Sequence, residues 1–194
     1  MTRAALTPME LEDFRRRAVE AALRVFVEDG ARSLTMRGIA KVLGVSPMTP
    51  YRYFEDKDAL FTAMRVEATR QFADAQQQAA SSFSGVVAII ELSRAYVRFG
   101  VEQPEAYRII FELRPVPAQR SAQLDAEHER AFSFLYRGTT EAVRAGQLQG
   151  DPLTLAHLLW SQGHGLVSLH LADKLTMGRT FEQLCTAMEQ TVLG

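Results

Sequence analysis

The side chains between Met48 and Tyr53 are of types that contact nucleic acid. Arginine can bond a guanine edge or a phosphate, methionine and threonine can meet thymine methyl groups, and tyrosine hydroxyls can reach phosphate oxygens. Long aliphatic residues, which a helix needs if it is only to be buried, are almost absent here. We therefore expect an exposed contact face formed by Met48, Thr49, Tyr51, Arg52 and Tyr53.

A second group, His157, Trp160 and His164, falls on one face of a predicted helix and raises the alternative of a metal or catalytic site. Zinc sites usually have three or four ligands, and no carboxylate or cysteine stands at helical spacing beside these histidines. The sequence also contains no Gly-x-Ser-x-Gly elbow, no phosphate-cradling glycine loop and no His-Glu-x-x-His stretch. We expect no metal, no cofactor and no catalytic residue.

Residues 33–60 have the helix start and stop signals of a helix-turn-helix, the element that would position the contact face. Thr35 can cap a first helix over residues 35–43, and Gly44 can adopt the positive φ that a residue just past a helix end often needs. Serine followed by proline then begins a second helix, which we expect over residues 46–54.

Charge supports this interpretation because it is concentrated locally. Between residues 32 and 57, five basic side chains stand against two acidic ones, although the whole chain has a net charge of −1 and a pI near 6.4. A local positive patch fits a specific DNA binder and argues against a protein that coats nucleic acid without specificity.

The rest of the chain indicates an all-α fold. The 194 residues are 47% hydrophobic, too apolar for disorder, and period-two segments long enough for a sheet are absent. We predict about nine helices, with a three-helix DNA-binding domain over residues 1–56 and a larger ligand-binding and dimerisation domain over residues 57–194. Besides the motif, helices are predicted over residues 8–30, 56–82, 84–102, 104–111, 118–145, 152–171 and 181–193.

Aromatic residues are concentrated in the larger predicted domain, where they have two interpretations: core packing, or the wall of a cavity for an apolar or aromatic molecule. His164 or Tyr96 would supply a polar anchor in the second case. The candidate ligand-binding residues are Tyr96, Phe99, Phe111, Phe132, Tyr136, Trp160 and His164.

Glycine is unexpected inside the predicted helix 152–171, because Gly163 and Gly165 should each cost about 1 kcal/mol relative to alanine. Close approach of another helix would offset that cost. We predict a helix–helix interface that uses Ser161, Gly165 and Ser168, with Leu184 and Met188 from the last helix.

The motif resembles the DNA-binding region of the tetracycline-repressor (TetR) family of bacterial regulators. The matching residues are Thr35, Ile39-Ala40, Gly44-Val45-Ser46, Tyr51-Arg52-Tyr53-Phe54, Lys57 and Leu60. Trp160, His164 and Gly165 also resemble the Trp-His-Gly signature of one C-terminal domain subtype of that family.

This resemblance implies a homodimer whose last two helices form the interface. It implies a repressor that leaves a palindromic DNA operator when it binds a small molecule. Since the sequence shows no basic-then-apolar N-terminal signal and no apolar run long enough to span a bilayer, we expect a soluble, cytoplasmic protein. The DNA-binding residues it implies are Thr35, Arg37, Ser46, Pro47, Met48, Thr49, Tyr51, Arg52, Tyr53 and Lys57. An all-α enzyme or small-molecule carrier that retains the motif only as structure is the alternative.

Pro50 departs from the family pattern, which more often has an aliphatic residue there. A proline at this position removes an N–H that could have bonded the carbonyl of the cap residue. We therefore expect the second helix to start more tightly, or later, than in other members.

Overall fold

The computed structural model describes residues 8–30, 33–113 and 121–193, and in these ranges it is entirely helical, which confirms the all-α class. No helix among these residues has the length and apolar character needed to cross a membrane. The α-helices are α1 (Pro8–Asp29), α2 (Met36–Val42), α3 (Lys57–Ala80), α4 (Gly85–Glu102), α5 (Pro104–Tyr107), α6 (Ala122–Arg144), α7 (Pro152–Leu171) and α8 (Phe181–Leu193). A 3-10 turn covers Pro50–Arg52, and a π-helical turn, here the π-turn, covers Arg108–Glu112.

Side-chain caps fix where three of these helices begin. Asp56 accepts a hydrogen bond from the N–H of Ala59 at 2.7 Å before α3, and Asp151 accepts one from Thr154 at 2.8 Å before α7. Ser121 caps α6 by accepting from Leu124 at 3.1 Å. The predicted start of α6 at residue 118 lies outside the described residues.

Helix α3 connects the motif to the rest of the molecule. Its 24 residues correspond to a rod roughly 36 Å long, given 1.5 Å per residue. Leu60 and Met64 near its start and Phe72 in its second half belong to one buried cluster, which extends from Phe14 of α1 to Val167 of α7. A displacement of α3 would therefore change packing against both α1 and α7.

Helix α8 closes the far end of the bundle. Val192 packs with Val86, Ile89 and Ala142 in a second, smaller cluster. The guanidinium of Arg94 on α4 donates to both carboxylate oxygens of a glutamate on α8, Glu189, at 2.8 and 2.6 Å.

Candidate functional site

The first half of the motif forms as predicted. Thr35 caps α2, because its hydroxyl oxygen accepts a hydrogen bond from the N–H of Gly38 at 3.0 Å. Gly44 has a φ of +66°, the left-handed region in which glycine has no steric penalty. Val45 then packs against the core, so the turn is anchored from the inside.

The predicted α-helix over residues 46–54 is wrong: the segment is a turn followed by the 3-10 turn. Most of its backbone bonds join residues three apart: Thr49 N–H donates to the Ser46 carbonyl at 2.9 Å and Tyr53 N–H to the Pro50 carbonyl at 3.0 Å, while Phe54 N–H, four residues on, donates to the same Pro50 carbonyl at 3.0 Å. Pro50 explains this difference because it has no N–H with which to close an α-helical turn. The Ser46 hydroxyl therefore caps no α-helix and bonds the Thr49 hydroxyl at 3.0 Å. The 3-10 turn is the tight geometry that Pro50 favours, and a start tighter than in other family members stays a prediction.

Most of the candidate DNA contacts lie on one accessible segment. Met48 and Tyr51 are 68% and 45% exposed, high values for side chains of this size and apolarity. Thr49 is half-buried against its neighbours. The other exposed candidates are Thr35, Arg37, Ser46, Pro47, Arg52 and Lys57.

Tyr53 is buried, contrary to the expectation that it faces DNA. Its ring is 9% exposed and stacks on Phe14 of α1, with 3.9 Å between the ring centroids. Its carbonyl oxygen accepts a hydrogen bond from Arg15 at 2.6 Å, and the same guanidinium lies 4.8 Å from the centroid of the Phe54 ring. Tyr53 therefore fastens the motif to α1, and we remove it from the DNA-facing set.

The basic side chains of the motif keep their charge available to a partner. Across the described ranges, no carboxylate lies within salt-bridge distance of Arg37, Lys41, Arg52 or Lys57. Arginines on the exposed face of α1 differ, since Arg16 and Arg17 both pair with Asp13, at 2.7 and 3.1 Å.

A cavity of about 490 Å³ lies between five elements of the larger helical unit. Its walls come from α3, α4, the π-turn, α6 and α7, and they are mostly apolar or aromatic. The lining residues are Phe72, Gln76, Tyr96, Ile110, Phe111, His128, Glu129, Ala131, Phe132, Leu135, His157 and Trp160. This volume suits a small organic molecule.

Four of the seven predicted ligand-binding residues line this cavity: Tyr96, Phe111, Phe132 and Trp160. The other three lie elsewhere. Phe99 is buried in the core, 5.2 Å from Phe72 between ring centroids. Tyr136 is 44% exposed on α6, and His164 lies behind the lining, with its Nδ1 2.6 Å from the Tyr107 hydroxyl.

Sequence reasoning missed eight lining residues: Phe72, Gln76, Ile110, His128, Glu129, Ala131, Leu135 and His157. One signal was available, because His128, Phe132 and Leu135 recur at spacings of four and three and so share one face of α6. Phe72 falls in the helix predicted over residues 56–82, where the sequence alone gives no signal for the cavity. Its ring in fact makes edge-on contacts to Tyr96 and Phe111, at 5.4 Å in each case.

His164 belongs to a polar cluster beside the cavity, the tyrosine–histidine cluster, formed by the buried Tyr96 and Tyr107 and the half-buried His164 and Ser168. The Tyr107 hydroxyl lies 2.6 Å from His164 Nδ1, and the Tyr96 hydroxyl lies 3.2 Å from the same atom. Burial raises the pKa of both tyrosines and lowers the pKa of His164. We therefore assign a neutral imidazole whose Nδ1 accepts a hydrogen bond from the Tyr107 hydroxyl.

Folding stability should fall as the pH is lowered from about 7 to 5. Burial lowers the pKa of His128 and of His164, so below the ordinary value near 6.5 the unfolded chain takes up protons that the folded chain resists. Thermal unfolding followed by circular dichroism at several pH values measures this slope. In H164Q, where an amide oxygen can still accept from Tyr107, the slope should be shallower. An unchanged slope would exclude His164 as a contributor.

The candidate interface residues fall into two groups. Ser161 is exposed, Ser168 and Leu184 are half-buried, and a Cβ placed on Gly165 would meet no atom within 4 Å. Met188 is only 6% exposed within the single chain, so it packs inside the protomer, and its assignment to the interface is wrong. Its position on the inward face of α8 explains the difference.

An apolar stripe on α7 surrounds Gly165. Leu158 and Leu169 are 61% and 46% exposed, and with Ser161 and Gly165 they follow spacings of three and four, which place all four on one side of the helix. A groove of about 310 Å³ between α7 and α8 adjoins this stripe, and its walls include Leu155, Leu158 and Val192. Large exposed aliphatic side chains around a small residue are typical of a helix-packing surface.

A helix-turn-helix joined by one long helix to a helical bundle with its own cavity defines a two-part regulator fold. Residues 18–64 match the family model described as bacterial regulatory proteins, tetR family. Residues 89–192 match the model described as tetracyclin repressor-like, C-terminal domain. The chain belongs to the TetR family. Assignment to the Trp-His-Gly subtype stays a prediction.

Individual relatives agree with this family. The HTH-type transcriptional regulator Rv1816 of Mycobacterium tuberculosis is 32% identical over 150 residues, 72% of this chain but only 60% of the relative. The HTH-type transcriptional regulator UidR of Escherichia coli K12 is 26% identical over 183 residues, 92% of each chain. Regulatory protein SCO4313, a solved structure, matches the fold with a TM-score of 0.80, covering 98% of this chain and 100% of that one at 23% identity.

Proposed function

We propose that this protein is a homodimeric, ligand-responsive regulator of transcription that represses by occupying a palindromic operator. The observation that carries this proposal is one helix: α3 begins at the exposed motif and contributes Phe72 and Gln76 to the cavity. In this proposal residues 1–56 read DNA, while residues 57–194 bind a small apolar or aromatic effector and dimerise.

DNA contact would be made by the exposed segment around the 3-10 turn. Tyr51 and Arg52 lie in this turn, Met48 precedes it, and Lys57 begins α3. Lysine is disfavoured at a helix N-terminus, where the dipole is positive, and a nearby phosphate would offset that cost. Twofold symmetry would place two such segments in successive major grooves, hence the palindrome.

Arg65 supplies a route from the cavity to the DNA-facing end of α3. Its side chain is only 1% exposed, and its Nε donates to the Ile109 carbonyl at 3.0 Å while Nη2 donates to the Leu113 carbonyl at 2.6 Å. Along the chain, the cavity residues Ile110 and Phe111 lie between Ile109 and Leu113, the two residues whose carbonyls Arg65 binds. An effector that displaces Phe111 would move the π-turn and, through Arg65, the helix that carries the motif.

Such a movement would change the separation of the two DNA-facing segments in the dimer. A change of register between half-sites is enough to lose the operator. The effector would cause release only by binding the DNA-incompetent arrangement more tightly than the competent one.

Selection from a pool of random duplex DNA with the purified protein tests the function. Recovery of an enriched palindrome supports the proposal. No enrichment at moderate salt would instead support the enzyme or carrier that keeps the motif only as structure.

Replacing Tyr51 or Arg52 with alanine should weaken binding to the selected operator by about 1–3 kcal/mol, because each removes a contact to a base or phosphate. Fluorescence anisotropy at one fixed salt concentration measures the loss. Lys174→Ala is the matched control, since Lys174 is an exposed cation on the segment after α7, far along the chain from the motif. A variant that binds as tightly as the parent would remove that residue from the contact set.

A further inference from the structure

The cavity wall has an uneven chemical character. Five of its twelve lining residues are aromatic: Phe72, Tyr96, Phe111, Phe132 and Trp160. Glu129 is the one carboxylate among them, and among these lining residues there is no lysine or arginine. Burial lowers the pKa of His128, which favours its neutral form. The wall therefore offers negative charge and aromatic surface, with no side chain whose charge is fixed as positive.

This composition has a clear electrostatic preference. An aromatic ring attracts a cation over its face because its quadrupole is negative there, and the attraction increases when the cation is removed from water. A carboxylate such as that of Glu129, exposed on α6, adds a favourable charge at the cavity edge. Arg65, the buried guanidinium near His128, is not part of the lining and donates to backbone carbonyls.

We propose that the cavity selects an organic monocation with an apolar or aromatic body. This inference rests on the proposed function only in taking the cavity as the effector site. An organic anion would face the Glu129 carboxylate and five rings without a cationic partner on the wall. A neutral molecule of the same shape would gain from burial alone. A cation gains from burial of its body and from the rings and carboxylate as well.

Three probes of similar size separate these possibilities. Benzyltrimethylammonium is the cation, neopentylbenzene is its neutral isostere, and 4-phenylbutyrate is an aromatic anion. Trp160 is the only tryptophan in the sequence and lines the cavity, so its fluorescence reports occupancy directly. We expect the cation to bind at least about tenfold more tightly than the other two. Equal or tighter binding of the neutral or anionic probe would overturn the inference.

Two substitutions test whether this preference arises in the cavity wall. Phe132→Leu keeps an apolar side chain but removes a ring that lies 6.0 Å from Trp160, centroid to centroid. It should weaken cation binding at least threefold and leave neopentylbenzene within twofold. Glu129→Gln should act in the same sense. Glu182→Gln, at an exposed carboxylate on α8 outside the lining, is the control and should change neither affinity.

Phe132→Leu could instead weaken the binding of benzyltrimethylammonium and neopentylbenzene by the same factor, with an unchanged thermal midpoint. The cavity would then recognise shape rather than charge, and the inference would be overturned. Operator release then separates this inference from the proposed function. Cation binding without release of the selected operator leaves the ligand class intact and removes the effector role. If only the neutral probe releases the operator, the cavity is still the effector site, but the inference that it selects a cation is overturned.

Discussion

Replacing Gly165 with leucine is expected to convert the protein into a monomer. A Cβ at this position would meet no atom of its own protomer within 4 Å, so we expect the variant chain to fold, and leucine is the better helix former. The new side chain would instead occupy the space above the α7 stripe, between the exposed Leu158 and Leu169, where we expect a helix of the second copy. Close packing there would be lost.

Sedimentation velocity measures the change, with circular dichroism to confirm that the variant remains folded. Two alanine variants are matched controls: Gly165→Ala adds only a small group to the stripe, while Gly163→Ala adds one that points at Tyr96, 3.6 Å from its Cδ1. Both should remain dimeric. Operator affinity of the leucine variant should fall by at least about a hundredfold, since the second half-site no longer binds as part of the same molecule. A stable leucine dimer would place the interface elsewhere.

Replacing Arg65 with methionine is expected to lower the free energy of unfolding by about 1–3 kcal/mol, the cost of one unsatisfied buried polar group. The substitution keeps the apolar stem but removes the donor to the buried Ile109 carbonyl and to the carbonyl of Leu113, a residue that is exposed to solvent. Burial also lowers the pKa of the guanidinium, so relief of its desolvation offsets part of the loss.

The same variant should separate effector binding from operator release. Affinity of the cavity for benzyltrimethylammonium should stay within a few-fold of the parent, while the concentration needed to release DNA rises. Urea unfolding and anisotropy of labelled operator are the measurements. Arg70→Met is the control on the same helix: Arg70 is exposed and pairs with Glu67 and Asp74, so its loss should cost less than about 1 kcal/mol. Normal release by the Arg65 variant would exclude this route.

The positions of the helices could be predicted from sequence because caps and glycines act locally. Thr35, Gly44 and Asp56 each form the cap or turn that their residue types favour. The form of the second motif helix could not be settled from resemblance, because one residue, Pro50, removes a backbone donor that most family members have. The same proline was nevertheless the signal that the helix would be tight.

The side-chain environments were harder to predict than the helices. Tyr53 and Tyr51 are two residues apart in a polar segment, yet one ring is buried on Phe14 and the other is exposed. That choice depends on α1, which packs from outside the motif. Only four of the twelve residues that line the cavity were predicted, for a similar reason: aromatic content located the cavity, but which faces of α3 and α6 turn inward is decided by packing among five elements.

The 3-10 turn also has a consequence for which features of the operator would determine its recognition. The proposed DNA-facing segment around the 3-10 turn is short, so it would bring few side chains to the base edges of each half-site. In the proposed dimer, the distance between half-sites and the bendability and groove width of the DNA around them would then supply part of the discrimination. Such an operator would tolerate base substitutions in its half-sites as long as their spacing stays fixed. Few mutations in other promoters would then be enough to bring them under the same regulator.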